Sequence, residues 1–203
     1  MSIKSTLTYD DVLLVPKYSD IRSRSEIDIS SKLDSNITLR LPVIASPMDT
    51  VSGFEMASYL SKVGGLAVLH RYMKITQQVE AVSNLKKETG AIVAAAIGTG
   101  KEHQTRALCL ASVGVDVLCI DVAHGHHIAV KEIIDWLRSD PAFDHIHIMA
   151  GNVATPEAVA ELATWGAQSI RIGIGGGSIC STRIQTGHGV PTLQSVMDCA
   201  AVA

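Results

Sequence analysis

The sequence predicts an α/β protein whose architecture is a (β/α)8 TIM barrel, of which this chain carries six βα units. Short β-branched apolar runs recur at a regular interval, and amphipathic helical patterns lie between them. Polar or glycine-rich residues follow the ends of the runs, where a barrel places its ligand contacts. The 203 residues are fewer than the roughly 250 of a typical complete barrel, so we expect two units to be absent.

The predicted strands are apolar on both faces, as strands of a parallel sheet covered by helices must be. A Rossmann-like open sheet is the competing architecture, but its glycine fingerprint follows the first strand. Here the first run is followed by SPMDT and the glycines follow the sixth run, so the order of motifs favours the barrel. The runs comprise residues 42–46, 66–69, 92–97, 116–121, 145–150 and 169–174.

The helical patterns are clearest in TPEAVAELATWG. Thr155 can cap this helix, Pro156 suits its first position, and Gly166 ends it. Residues 75–90 and 126–140 predict two more helices in the same way. We expect residues 1–41 to form an irregular lead-in that covers the bottom or side of the barrel, and residues 1–203 to form one catalytic-type domain.

The composition argues against two classes of partner. A net charge of −3 gives no basic surface for nucleic acid, and no apolar run approaches the roughly 20 residues of a membrane-spanning helix. The four cysteines lack the CxxC spacing that is typical of metal sites. We therefore expect a reduced protein of the cytoplasm.

The segment GIGGGSIC, residues 173–180, is the strongest candidate for chemistry. Glycines let backbone N–H groups approach an anion, successive carbonyls can bind a monovalent cation, and Ser178 adds a hydroxyl. Cys180 could act as a nucleophile if a positive neighbour or local dipoles lowered its pKa from about 8.5. Arg171 and Arg183 are close in sequence. The competing interpretation is a glycine turn with a small buried cysteine.

Other polar residues at the ends of the predicted strands have two possible interpretations, a functional one and a structural one. Asp121 ends a buried run, and Asn152 follows a glycine at the end of another. Each could contact a ligand or cap a turn. His124 and His126 could bind a metal or a ribose, but they could also be polar packing, because no carboxylate cluster completes a metal site.

From LTYDDVLLVPKYS through GVPTLQSV, the chain resembles the family of IMP dehydrogenase and GMP reductase. The segment GSICSTR is similar to the family's active-site cysteine loop. The resemblance implies that Cys180 attacks C2 of a purine. It also implies that Thr182 belongs to the group that activates water or handles ammonia.

The same resemblance implies ligand contacts, a homotetramer as the complete assembly, and potassium and NAD as cofactors. The implied contacts to the purine nucleotide IMP are Ser46, Met48, Asn152, Arg171 and Ser178. The implied contacts to NAD are Asp121, Thr99 and Gly173. The implied potassium ligands are the backbone carbonyls of Gly175, Gly177 and Cys180.

Two reactions share the implied intermediate, a purine bonded to cysteine at C2. A dehydrogenase passes hydride to NAD and then hydrolyses the intermediate, whereas a reductase expels ammonia from GMP and then takes hydride from NADPH. The segments ASPMDTV, GGLAVLHRYM and AAAIGTG are similar to the dehydrogenase, and SGFEMA and DVAHGH to reductases. No regulatory CBS module is inserted between Gly90 and Ile92, as in reductases and some dehydrogenases. The sequence favours NAD-dependent oxidation of IMP to XMP, with GMP reductase as the alternative.

The chain also departs from the family pattern. Gly176 stands where the family usually has Pro or Ser, and His188 and Thr192 are unusual. The resemblance places a ribose site, a mobile flap with the general base and further cation ligands beyond Ala203. We therefore expect part of a longer enzyme or a truncated nucleotide-binding or inactive fragment. We expect residues 1–203 alone to be poorly soluble or oligomeric and to lack turnover, because two sheet edges are open.

Overall fold

The computed structural model describes residues 5–203 of the chain. Its strands are β1 Ser31–Lys32, β2 Thr38–Leu39, β3 Ile44–Ala45, β4 Leu66–Leu69, β5 Ala94–Ile97, β6 Val117–Asp121, β7 His147–Val153 and β8 Ser169–Ile172. Its helices are α1 Phe54–Val63, α2 Ile75–Thr89, α3 Lys101–Ser112, α4 Ile128–Ser139, α5 Pro156–Trp165, α6 Ser181–Thr186 and α7 Thr192–Ala200. Among the described residues, no helix has the length and apolarity needed to span a membrane.

The main sheet has six parallel strands in the order β3-β4-β5-β6-β7-β8. A doubly wound sheet reverses its strand order part-way, whereas a barrel wall keeps chain order. The observed order therefore confirms the barrel prediction. In the described part of the chain β3 and β8 do not pair with each other, so the six strands trace an incomplete barrel, as expected.

Alternating side chains divide the core into two layers, because successive residues of a strand face opposite sides. Leu66 and Val68 of β4 belong to a cluster inside the barrel wall. Ala67 and Leu69 of the same strand belong to a larger cluster beneath the outer helices. Both layers are buried, which explains why the strand sequences read as continuous apolar runs.

The short antiparallel hairpin of β1 and β2 covers the inner layer. Its Ile37 and Leu39 are buried within the inner cluster. The expectation that the lead-in covers the barrel is met by this hairpin, which the sequence did not predict. The preceding segment does not cover the barrel in the same way, since Leu13 and Leu14 are 95% and 98% exposed.

A buried histidine ties the hairpin to the start of two strands. His147 begins β7, and its Nδ1 pairs with the carboxylate of Asp34 in the hairpin. Its Nε2 lies 2.7 Å from the hydroxyl of Ser169, which begins β8. The Asp34 carboxylate also accepts the backbone N–H groups of Asn36 at 2.7 Å and Ile37 at 2.8 Å. These contacts hold the hairpin against the bottom of the sheet.

The structure confirms the residues that were predicted to begin and end α5. The Thr155 hydroxyl accepts the backbone N–H of Ala158 at 3.3 Å, and Gly166 ends α5 with φ 111°. The interval after β8 holds two helices rather than one, since the short α6 precedes α7. The second of them, α7, packs on α5 and β8 and so takes the place of the sixth barrel helix.

The Asp34–His147 contact generates a prediction about stability and pH. Burial alone would raise the pKa of Asp34, but hydrogen bonds from Asn36, His147 and Ile37 outweigh it and lower the pKa. The ionised carboxylate therefore stabilises the fold. This contribution is complete above the ordinary aspartate pKa of about 4 and is lost as the pH falls through the lowered value.

We expect Asp34→Asn to lower the free energy of unfolding at pH 7 by about 1–3 kcal/mol, because His147 loses a charged partner. The difference from the unsubstituted protein should shrink at acid pH. Urea unfolding at several pH values measures it, with Asp20→Asn in the exposed lead-in as the control. A difference that stayed constant from pH 7 to pH 3 would contradict this account.

Candidate functional site

The ends of the strands and the glycine loop surround an open cavity of about 770 Å³. Its position at the carboxyl ends of parallel strands is the one that a barrel uses for ligands. Most of the residues assigned a role from the sequence lie in its wall. These are Ser46, Met48, Asp121, Asn152, Arg171, Gly173, Gly175, Gly177 and Cys180.

Three assigned residues lie elsewhere. Thr99 follows β5 and is half-buried outside the cavity wall. Ser178 is exposed, and its carbonyl accepts a hydrogen bond from the Arg183 guanidinium at 3.2 Å. Thr182 lines a neighbouring cavity of about 480 Å³, together with His124 and other residues. Their proposed contacts to cofactor and nucleotide stay predictions.

Cys180 lies at the N-cap of α6 with its side chain half-buried. The backbone N–H of Arg183 makes the largest contribution to a lowered thiol pKa. Burial, the second-largest contribution, raises the pKa, but the backbone N–H groups of Thr182 and Gly175 and the Thr182 hydroxyl add to the lowering, so the net shift of the pKa is downward. Local dipoles therefore favour the thiolate, which is the nucleophilic form.

The other cysteines have different surroundings. Cys119 lies fully buried in β6, and burial raises its pKa to about 12. Cys199 is buried in α7, and its pKa is raised by burial and by the charge of Asp198. Cys109 is half-buried in α3. Cys180 is thus the cysteine whose pKa is lowered and which faces the cavity.

An ion pair forms the floor of the cavity. Nη1 of Arg171 in β8 donates to Oδ1 of Asp121 at the end of β6, at 2.5 Å. Nη2 of Arg171 donates to the Ser46 hydroxyl, 3.3 Å away. The guanidinium therefore does not serve as the positive neighbour of Cys180, and its nearest sulfur is Sγ of Cys119 at 4.0 Å. It links the ends of β3, β6 and β8.

Asn152 contributes an unpaired acceptor. Its backbone is held by hydrogen bonds to Val122 at 2.9 Å and from Gly125 at 2.7 Å. Its side-chain Oδ1 is buried and has no hydrogen-bond partner among residues 5–203. An unsatisfied buried amide oxygen costs about 1–3 kcal/mol. A ligand that donates a hydrogen bond to this atom would remove that cost.

The glycine loop packs too closely for side chains at two positions. A Cβ on Gly175, whose φ is 75°, would lie 2.6 Å from the Cα of Gly189. A Cβ on Gly176 would lie 1.9 Å from Oγ1 of Thr192. The two departures from the family pattern, Gly176 and Thr192, are therefore in contact, and the threonine fills the space that a side chain at position 176 would need.

The potassium ligands implied by the sequence are partly engaged. The carbonyl of Gly177 accepts the backbone N–H of Cys180, and the carbonyl of Cys180 accepts that of Ile184, each at 3.1 Å. A cation would have to use their remaining lone pairs. Within residues 5–203, no group of three or more His, Cys, Asp or Glu side chains forms a metal site. The potassium site stays a prediction.

Tyr72 lines the same cavity and was missed from the sequence. It follows His70 and Arg71 in the turn after β4. His70 and Arg71 indicated the end of a strand in the sequence. No sequence pattern indicated that Tyr72, rather than either of them, would line the cavity.

A family model described as "IMP dehydrogenase / GMP reductase domain" matches residues 6–203, which include every residue of this cavity. The chain belongs to this family of oxidoreductases. The cysteine loop after the sixth barrel strand lies within the matched residues. The barrel that the strand order indicates is the fold of this family.

The chain is similar both to proteins named IMP dehydrogenase and to proteins named GMP reductase. The chain is 35% identical to inosine-5'-monophosphate dehydrogenase of Cryptosporidium parvum, over 100% of this chain and 60% of that protein. It is 38% identical to GMP reductase 2 of Homo sapiens, over 97% of this chain and 58% of that protein. The chain thus spans about three fifths of the length of these relatives.

A solved structure supports the fold. GMP reductase from Trypanosoma brucei, in complex with guanosine 5'-triphosphate, superposes with a TM-score of 0.91 at 25% identity. The match covers 99% of this chain and 78% of the solved one. Family membership and fold are therefore shown, whereas the direction of the reaction is not decided by these likenesses.

The contrast among the cysteines predicts selective chemical modification. At pH 7, a 6-halopurine nucleotide should label Cys180 at least about tenfold faster than the other three cysteines, because only its thiolate is stabilised by the loop. Labelling should reach half its maximal rate below the pH of an ordinary thiol. Peptide mass spectrometry measures it, with Cys109→Ala as the control. Equal labelling of all four cysteines in the folded protein would contradict this prediction.

The contact between Gly176 and Thr192 predicts coupling. Gly176→Ala should destabilise the protein by about 1–3 kcal/mol and slow Cys180 labelling, because the added methyl group displaces the loop. Thr192→Ala removes Oγ1 and should restore part of both. Gly177→Ala is the matched control, since nothing lies within 4 Å of its added Cβ. Additive effects in the double variant would exclude the contact as the cause.

Proposed function

We propose that this chain contributes the nucleotide-binding cavity and the nucleophile of a purine-nucleotide oxidoreductase that oxidises IMP to XMP. The observation that carries the proposal is the Cys180 thiol, whose lowered pKa and position on the cavity wall suit attack on a bound base. Family membership supports a purine monophosphate as the substrate.

The wall supplies groups for each part of such a substrate. The Asn152 amide oxygen can accept a hydrogen bond from a base N–H or a ribose hydroxyl. The N–H groups around Gly175–Gly177 suit an anion, and the Ser46 hydroxyl adds a donor. Arg171, paired with Asp121, offers its remaining N–H groups without placing an unpaired charge in the cavity.

In the proposed reaction, the Cys180 thiolate bonds to C2 of IMP, and the hydrogen at C2 leaves as hydride. NAD, when bound, supplies the acceptor for that hydride. Water then displaces the thiolate from C2, which gives XMP and returns Cys180. The lowered pKa serves both steps, since a stabilised thiolate is more populated at a given pH and is a better leaving group. Asp121 and Gly173 line the cavity, which supports the proposal that they contact the cofactor, whereas Thr99 lies outside the cavity wall.

GMP reductase is the second candidate, because GMP reductase 2 of Homo sapiens is 38% identical to this chain over 203 aligned residues. In that reaction the thiolate displaces ammonia from C2 of GMP. The product is the same purine bonded to Cys180. Hydride from NADPH at C2 then releases IMP.

The shared adduct provides the test. The chain is mixed with IMP, with IMP and NAD, or with GMP alone, then quenched in acid and analysed by mass spectrometry. The dehydrogenase proposal requires the adduct on Cys180 only with IMP and NAD together, accompanied by NADH absorbance. An adduct from GMP alone, with release of ammonia, would establish the reductase instead. Cys180→Ala should abolish either adduct, and Cys109→Ala should leave it unchanged. No adduct under any condition would contradict both.

A further inference from the structure

Tyr72 presents an aromatic ring to the cavity. It lies in the turn between β4 and α2, lines the 770 Å³ cavity, and is 61% exposed. An aromatic ring offers a flat apolar surface on which another planar ring can stack. The proposed chemistry of the site uses Cys180, Asn152 and the glycine loop and assigns nothing to this ring.

The Tyr72 ring has one charged and one aromatic neighbour. The Arg71 guanidinium lies 5.1 Å from the Tyr72 ring centroid, within the range of a cation–π contact. The His70 ring lies 6.3 Å away and is inclined by only 22°. Nη2 of Arg71 also donates to the backbone carbonyl of Asp121, at 3.3 Å. Arg71 therefore connects Tyr72 to Asp121, which belongs to the ion pair at the floor of the cavity.

A buried polar pair fixes the backbone of the turn. Nε2 of Gln78 donates to the carbonyls of His70 at 3.2 Å and Ala96 at 2.9 Å. Arg106 donates to the carbonyl of Met73 at 3.1 Å and to Oε1 of Gln78 at 2.8 Å. Gln78 and Arg106 are 0% and 3% exposed. Because both ends of the turn are held, little further conformational freedom is lost when a ligand stacks on the ring.

Tyr72 and Cys180 lie on opposite sides of the barrel mouth. Tyr72 follows β4, the second barrel strand, and Cys180 follows β8, the sixth. In a ring of eight strands, the second and sixth positions face each other. A purine bonded to Cys180 would occupy one side, and a cavity near the upper part of the range of roughly 300–1,000 Å³ leaves space for a second planar group.

We propose that Tyr72 is a specificity-determining residue that stacks the planar heterocycle of the dinucleotide cofactor across the cavity from the purine. This inference rests on the proposed function. Stacking between a base and an aromatic side chain stabilises binding enough to change affinity by roughly 5- to 100-fold. The ring itself, and not its hydroxyl, supplies this contribution.

Isothermal titration calorimetry of NAD into the Cys180→Ala protein saturated with IMP tests the proposal without turnover, because no adduct can form, and each further substitution is made in this background. Tyr72→Ala and Tyr72→Leu should raise the Kd for NAD by roughly 5- to 100-fold. Tyr72→Phe should stay within about twofold, since the ring is retained. Tyr59→Ala is the matched control, because Tyr59 is 63% exposed on α1 and lies outside this cavity. The Kd for IMP and the thermal unfolding midpoint should not change in any variant.

Nicotinamide mononucleotide and AMP, titrated separately, identify which ring of the cofactor stacks, because only the fragment that contacts Tyr72 should lose affinity in Tyr72→Ala. Unchanged NAD affinity in Tyr72→Ala, with IMP still bound, would overturn the inference and leave the proposed function standing. Failure of the unsubstituted protein to bind IMP or to form the Cys180 adduct would overturn the proposed function itself. An equal loss in Tyr72→Phe and Tyr72→Ala would assign the effect to the hydroxyl and also overturn the stacking role.

Discussion

The Arg171 guanidinium is the contact on which the geometry of the cavity depends. It lies on β8 and reaches Asp121 at the end of β6 and Ser46 after β3. Since β3 and β8 are the two ends of the sheet order, this side chain links them where no backbone pairing does. The backbone carbonyl of Asp121 also accepts a hydrogen bond from the Arg71 guanidinium, so the turn after β4 belongs to the same hydrogen-bond network. Because the ion pair is mostly buried, loss of either partner would leave the other charge uncompensated.

The cysteine loop obtains its chemistry from backbone geometry rather than from a charged side chain. The sequence offered Arg171 and Arg183 as positive neighbours of Cys180. In the structure, the Arg171 guanidinium pairs with Asp121 instead. Arg183 lowers the pKa of the thiol through its backbone N–H, and its guanidinium donates to the Ser178 carbonyl. A thiolate stabilised in this way depends on the path of the main chain. That dependence explains why Gly176 must leave room for Thr192, since a displaced loop would move the N–H donors away from the sulfur.

The strand pattern was sufficient to predict the barrel, its six units and the edge of the sheet at which the cavity lies, because burial on both faces and regular spacing are properties of sequence alone. The cysteine loop could be predicted because glycines and a nucleophile together are chemically distinctive. The hairpin of β1 and β2 could not, since two-residue strands have no periodicity, and its position depends on the distant pair of Asp34 and His147. Tyr72 was missed for a related reason. Its role follows from the direction of one turn, which Gln78 and Arg106 determine through buried tertiary contacts.

Under the proposed function, the same cavity serves either reaction of the family. Bond formation at C2 would use the Cys180 thiolate, a hydrogen-bonded base and an anion site whether hydride or ammonia leaves. In that proposal, these residues act before the two reactions diverge. The direction is decided by the fate of the purine bonded to Cys180: attack by water needs a base that activates it, and hydride addition needs a cofactor held at C2 while water is excluded. A cofactor whose ring stacks on Tyr72 would favour the second outcome for as long as it stays bound, because it occupies the cavity beside the purine and excludes water. In this proposal, the lifetime of the bound cofactor would link the choice of reaction to the side of the barrel opposite the cysteine.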